Sequence, residues 1–248
     1  MGDPKGHMGE TVPSISHASA GAGNGPLIQM RQVAKIYHTA AGDFPALRGI
    51  DADFGAGEFV SIVGRSGSGK STLANMITGI DRPTHGTVWI NGTYVHTLNE
   101  SQMARWRGRN LGIVFQFYQL LPMLTLLENV MLPMDIGAVV ARDEREERAR
   151  ELLRIVGLTA MEDELPGAVS GGQQQCAAVA RALANDPPLL IADEPTGNLD
   201  SRMAGTVFSL FELLAQGGKT IIMVTHDPDL ARRASRTLHL ADGQIVGS

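Results

Sequence analysis

The chain has 248 residues, 43% of them hydrophobic and 19% charged, with a formal net charge of -5. That balance fits one large globular domain, or one domain with a subdomain, and the lack of a basic stripe argues against a nucleic-acid partner. A single cysteine, Cys176, excludes an intrachain disulfide, and no uninterrupted apolar run approaches the roughly 18 residues of a membrane span.

In chain order, residues 1–26 are rich in Gly, Ser, Ala and His, have no periodicity and no apolar signal-peptide core, and read as a flexible tail. Order begins near Leu27, with a strand over Leu27–Val33. Gly55-Ala56-Gly57 is a turn leading into a strand at Glu58–Val63. A helix opens at Ser71–Thr78. Val88–Asn91 reads as a strand ending in a turn at Gly92, and Leu111–Phe115 as another strand. The apolar stretch Leu120–Ala141 is interrupted by Pro122, Glu128, Pro133 and Asp135, which suits a folded surface or short helices. Arg142–Val156 is helical, its mixed charges forming i,i+4 pairs on a solvated face. Ser170–Ala184 is a helix with Ser170 as N-cap. Leu189–Ala192 is a short buried strand, Ser201–Ala215 a helix and Lys219–Val224 a strand. Asp227-Pro228 is an N-cap followed by proline at the first helical position, and Asp242-Gly243 turns a terminal hairpin between Leu238–Leu240 and Gln244–Val246. Alternating strands and helices predict an α/β fold with a mainly parallel sheet.

Between the strand Glu58–Val63 and its helix, Gly64 to Ser71 reads G-R-S-G-S-G-K-S and satisfies every position of the phosphate-loop pattern G-x-x-x-x-G-K-[ST]. Gly64, Arg65, Ser66, Gly67, Ser68 and Gly69 form a cradle whose glycines let successive N–H groups face a phosphate. Lys70 adds a positive charge, Ser71 a hydroxyl for Mg²⁺, and Thr72 follows on a first turn whose partial positive end suits an anion. Further on, L-L-I-A-D-E delivers Asp193 and Glu194 to the sheet's carboxyl edge, where α/β ligands bind. Asp193 there would hold Mg²⁺, directly or through water, and Glu194 would act as general base on an attacking water. Alone, those two acids read equally as a surface strand end. A third element, Ser170-Gly171-Gly172-Gln173, puts free N–H groups at a helix start. It reads as a second anion site or as a capped helix with no ligand.

Gly64–Ser71, Gln116, Ser170–Gln173, Leu189–Glu194, Asn198-Leu199-Asp200 and His226, in that order, make the sequence from about Leu27 to Gly247 resemble the ATP-binding cassette ATPases of ABC transporters. F-Q-F-Y-Q-L-L-P-M-L-T-L-L-E-N-V and A-D-E-P-T-G-N-L-D are similar to the subfamily of lipoprotein-release, macrolide-efflux and cell-division ATPases. The resemblance implies a P-loop NTPase core, an N-terminal antiparallel β subdomain and a helical subdomain over about 117–185. It implies that Tyr37 stacks on adenine, that Gln116 contacts Mg²⁺ and the water, that His226 meets the γ-phosphate and that Asp200 lies in a loop crossing a dimer interface. It also implies ATP and Mg²⁺ as ligands and two chains paired head to tail, Ser170–Gln173 of one closing over the phosphate loop of the other. A separate integral membrane permease would hold the pair at the cytoplasmic face of a membrane, docked on the apolar Phe117–Leu132 region.

One position departs from the family pattern. Cys176 stands where the signature usually continues with arginine, and cysteine offers almost none of that residue's donors. The expected consequence is a slow basal ATPase whose nucleotide binding is intact. A cassette ATPase uncoupled from transport would carry a coiled-coil insertion or a second cassette, and a small-molecule kinase would lack the Ser170–Gln173 helix.

Overall fold

The computed structural model describes residues 25–40 and 42–247. The tail expected over residues 1–26 therefore lies almost wholly outside the described residues.

Two sheets make the framework. The first is antiparallel, in the order β2-β1-β4-β5, from β1 (Ile28–Thr39), β2 (Gly42–Phe54), β4 (His85–Ile90) and β5 (Thr93–Tyr94). The second has the order β10-β9-β3-β8-β7-β6, from β3 (Phe59–Val63), β6 (Leu111–Phe115), β7 (Leu189–Asp193), β8 (Thr220–Val224), β9 (Arg236–Ala241) and β10 (Gln244–Gly247). All of its pairings are parallel except the terminal hairpin of β9 and β10. The helices are α1 (Lys70–Thr78), α2 (Glu100–Asn110), α3 (Leu126–Gly137), α4 (Arg145–Ile155), α5 (Gly171–Ala182), α6 (Ser201–Gln216) and α7 (Pro228–Ala231).

The central strands are short, apolar and buried, as parallel strands covered on both faces must be. Successive side chains point to opposite faces, so neighbouring residues serve different cores. Leu189, Ile191, Ile222 and Val224 join Ile28, Phe54, Leu73 and Met76 on the side of the antiparallel sheet. Leu190, Ala192, Ile221 and Met223 join Leu126, Leu153, Val179 and Phe208 on the side of α3, α4, α5 and α6.

Several elements differ from the sequence expectation. β1 runs six residues past Leu27–Val33 on its C-terminal side and pairs with the whole of β2, a strand the sequence pattern does not announce. Its register slips between Met30 and Val33, between Val33 and Lys35 and between Lys35 and Ile36, so the alternation that marks a strand is broken. α2 also escapes the pattern, burying only Met103 and Trp106 among polar residues. Its start is nevertheless written as a capping box, Asn99 accepting from Gln102 N–H while Gln102 accepts from Asn99 N–H. α3 is one continuous helix through Pro133, opened by a second capping box between Thr125 and Glu128. The carbonyl of Pro133 accepts from Asn185 Nδ2 at 3.1 Å.

Candidate functional site

β3 ends at Val63 and the chain enters α1 through Gly64–Gly69. Gly69 caps α1 in the left-handed region, φ +103°, with no side chain bonded over the helix end and no acid in the first turn. The first amides and the helix dipole are thus left to whatever lies in front of them. The loop is pressed onto its neighbours. A Cβ at Gly69 would stand 2.5 Å from the Ala46 carbonyl oxygen, and one at Gly64 2.1 Å from that of Leu240. Lys70 is buried, its Nζ donating to the carbonyls of Gly64 at 2.9 Å and Arg65 at 3.1 Å. Ser68 is buried and its hydroxyl faces inward, close to the Cα of Gly64.

The parallel sheet brings its acids to the same edge. Ser71 Oγ donates to Asp193 Oδ1 at 3.2 Å. Burial pushes the Asp193 carboxyl above its ordinary range, Glu194 pushes the same way, and Ser71 and Lys70 partly oppose them. The Ser71 and Asp193 oxygens form one pair of hard donors, suited to a divalent cation that keeps most of its waters. Among the described residues no group of three or more His, Cys, Asp or Glu is placed to cage a metal. Glu194 adopts φ +50°, an unfavourable backbone for a residue with a Cβ, held there by its N–H bond to Val224 O at 2.9 Å. Its Oε2 stands 2.7 Å from His226 Nδ1 and accepts from the His226 N–H at 3.3 Å. The carboxylate is mostly covered while the imidazole is 69% exposed.

One cavity of about 420 Å³ gathers these groups: Ser66, Gly67, Gly69, Lys70, Ser71 and Thr72 from the loop, Gln116 after β6, Glu194 after β7, His226 after β8, and Phe44 and Ala46 from β2. Gly64 and Arg65 serve through their carbonyls, and Asp193 borders the cavity through Ser71. Phe44 and Ala46 are additions that sequence reasoning missed, because β2 itself was not legible. Tyr37 does not line the cavity. It is the cross-strand partner of Phe44, its hydroxyl donates to Asp81 Oδ2 at 2.9 Å, and Lys35 Nζ sits 4.9 Å from its ring centre. The aromatic exposed at the cavity is Phe44.

Ser170, Gly171, Gly172 and Gln173 also stand outside this cavity. Ser170 caps α5 as expected, in a reciprocal box: Ser170 Oγ accepts from Gln173 N–H at 3.3 Å and Gln173 Oε1 from Ser170 N–H at 2.8 Å. Asp200 is the N-cap of α6, accepting from Met203 N–H at 2.9 Å. Cys176 is buried among the apolar side chains around α5, and that burial raises its thiol, the setting of an unreactive cysteine.

Comparison with known proteins agrees with this geometry. The profile of the ABC transporter family matches residues 47–197. The chain is 48% identical to the lipoprotein-releasing system ATP-binding protein LolD of Anaeromyxobacter dehalogenans, over 89% of this chain and 93% of that protein. It is 45% identical to the macrolide export ATP-binding/permease protein MacB 1/2 of Paracoccus denitrificans, over 89% of this chain and only 33% of that longer protein. Among solved structures, the dimeric post-hydrolysis form of the ATP-binding cassette MJ0796, bound to ADP and Pi, superposes with a TM-score of 0.82 at 39% identity, covering 89% of this chain and 97% of that one. On these matches this chain belongs to the ABC transporter family as one of its ATP-binding, ATP-hydrolysing cassettes.

Proposed function

We propose that this chain works as the motor subunit of a membrane transporter of the lipoprotein-release or efflux type. Two copies pair head to tail on a separate permease, each nucleotide lying between the phosphate loop of one copy and Ser170–Gln173 of the other. The observation that carries this reading is the division of the two phosphate-facing elements. Lys70, Ser71, Glu194, Gln116 and His226 share one cavity, and the start of α5 lies outside it. A second chain completes such a site, and ATP that touches both chains favours the closed pair by differential affinity.

In this reading the loop amides, Lys70, Ser71 and Thr72 bind the phosphates, with Phe44 and Tyr37 on the side of the base. The Ser71 hydroxyl and the Asp193 carboxylate would hold Mg²⁺, with Gln116 as a further oxygen donor. Bound there, Mg²⁺ supplies neutralisation of charge on the phosphate oxygens. Glu194 accepts a proton from the attacking water as its oxygen bonds to the γ-phosphorus and the bond to the β,γ-bridging oxygen breaks. His226, paired through Nδ1 with Glu194 Oε2 at 2.7 Å, fixes the orientation of that carboxylate and lies on the side of the γ-phosphate. Among the described residues there is no coiled-coil insertion or second cassette to favour the alternative, a cassette ATPase uncoupled from transport. α3, α4 and α5, within a helical subdomain of about 117–185, carry the docking face for the permease. Exposed Phe117, Leu121, Met123 and Ile136 lie there, beside a groove of about 420 Å³ between α2 and α3. No helix among the described residues is long and apolar enough to cross a membrane, so contact with the bilayer would run through that partner.

Glu194→Gln tests the mechanism directly. It keeps the shape and loses the base, so sedimentation with ATP should show an accumulated dimer, and phosphate release should nearly stop. Hydrolysis at the parental rate would remove Glu194 as the base.

A further inference from the structure

The start of α5 and the residues around Gln116 are not merely neighbours. The side chain of Gln175, fully buried, donates from Nε2 to the carbonyl of Phe115 at 3.3 Å. Phe115 is the last residue of β6, immediately before Gln116. The Oε1 of Gln175 is also buried and has no partner among the described residues. Further along the same helix, Arg181 donates to the carbonyls of Tyr118 at 2.9 Å and of Gln119. Gly112, in β6, touches α5 so closely that a Cβ there would stand 2.3 Å from the Ala182 carbonyl oxygen. On the opposite side, the carbonyl of Gln116 accepts from Asn198 Nδ2 at 3.1 Å.

A buried amide on an otherwise apolar helix face is costly unless its bonds matter, and leucine would fill such a place more cheaply. Between Ser170 and Arg181, Cys176 offers no donor worth the name. Among the described residues, the side-chain hydrogen bonds from α5 to the segment on either side of Gln116 come from Gln175 and Arg181, one reaching before it and one after it. A small shift of α5 therefore moves the backbone on both sides of Gln116, because hydrogen-bonded carbonyls follow their donors.

We infer that Gln175 is a positioning residue for hydrolysis: through its bond to the Phe115 carbonyl it carries movement of α5, four residues past the Gly171 start of that helix, to Gln116 in the nucleotide cavity. This rests on the reading of Gln116 as a residue that contacts Mg²⁺ and water. Gln175 touches neither nucleotide nor water and acts only by placing Gln116.

The test is a double-variant cycle on the full chain, with Gln175→Leu, Gln116→Ala and both together, following kcat, ATP affinity and the Mg²⁺ concentration for half-maximal hydrolysis. Gln175→Leu should leave ATP affinity unchanged, lower kcat about tenfold or more, since small misplacements of catalytic groups are costly, and raise the Mg²⁺ requirement as Gln116→Ala does. In the Gln116→Ala background it should add no further loss. Fully additive losses would overturn the inference, as would a Gln175→Leu protein with parental kcat and Mg²⁺ dependence. A Gln116→Ala protein with parental behaviour would instead overturn the reading of Gln116. Should Gln175→Leu fail to fold, Gln175→Glu decides. A buried protonated carboxyl donates to the Phe115 carbonyl, and a carboxylate repels it. The ratio of variant to parental kcat should therefore fall as pH rises, and a ratio that ignores pH would reject the role.

Discussion

The phosphate loop and the start of α5 are both glycine-rich helix entrances, and they are built in opposite ways. Gly64 and Gly69 are jammed against backbone oxygens of Leu240 and Ala46, and the cap of α1 uses no side chain, so its first amides have no claim on them. At α5 the entrance is already closed on itself, because Ser170 and Gln173 spend their side chains on each other's N–H groups. One entrance has no side chain over its amides; the other keeps a side-chain box across its first turn, with only the amides of Gly171 and Gly172 outside that box. In the proposed reading, binding at the first is a property of a single chain, and binding at the second requires two chains.

The largest effect that sharpens this contrast is expected from Lys70→Met. Removing a buried, hydrogen-bonded cation from a phosphate site costs about 2–5 kcal/mol, so titration with a fluorescent nucleotide should show affinity lost in the isolated monomer. Ser170→Ala should do the reverse. Nucleotide binding by the monomer stays parental, ATP-driven dimerisation measured by sedimentation falls, and loss of the cap costs about 1 kcal/mol in a denaturant titration. If Ser170→Ala weakened binding to the monomer as much as Lys70→Met, the two entrances would not be separate.

A smaller effect concerns Asp193, whose carboxyl is raised by burial. Its folded-state pKa lies above the unfolded one, so the folded state favours the proton and stability is lost as pH rises through the carboxylate range. Asp193→Asn should therefore melt above the parent at neutral pH, the gap closing below the unfolded carboxylate pKa, while hydrolysis is lost. The smallest change is expected from Cys176→Arg. If the cysteine slows closure, the arginine raises basal phosphate release and dimerisation without altering monomer affinity; both unchanged would remove any role for the departure. Its buried, apolar surroundings also predict a modest drop in stability.

Much of this was legible before any coordinates. The phosphate loop, the acids at the end of β7, the cap at Ser170 and the Asp227-Pro228 helix start are local patterns, each written in adjacent residues, and each stands where the pattern puts it. What was hidden depends on long-range pairing. β2 is specified by its partner β1 through three register slips, and with it went Phe44 and Ala46. α2 buries two side chains in eleven residues, too few for a helical period to emerge. The ties from Gln175 and Arg181 to residues 115–119 cross some sixty positions of sequence. No spacing rule reaches so far, although a glutamine on the buried face of an apolar helix was itself a visible oddity.

The alternation along β7 and β8 has an evolutionary consequence. Leu190 and Ile191 are bonded neighbours, yet one packs toward α3, α4, α5 and α6 and the other toward α1 and the antiparallel sheet. Substitutions that share no packing partner are usually independent in their effects. The sheet therefore acts as a firewall in sequence space. The helical face can drift while the face under α1, the helix that carries Lys70 and Ser71, keeps its composition, so one side of the molecule can be remodelled without disturbing the packing beneath the phosphate loop.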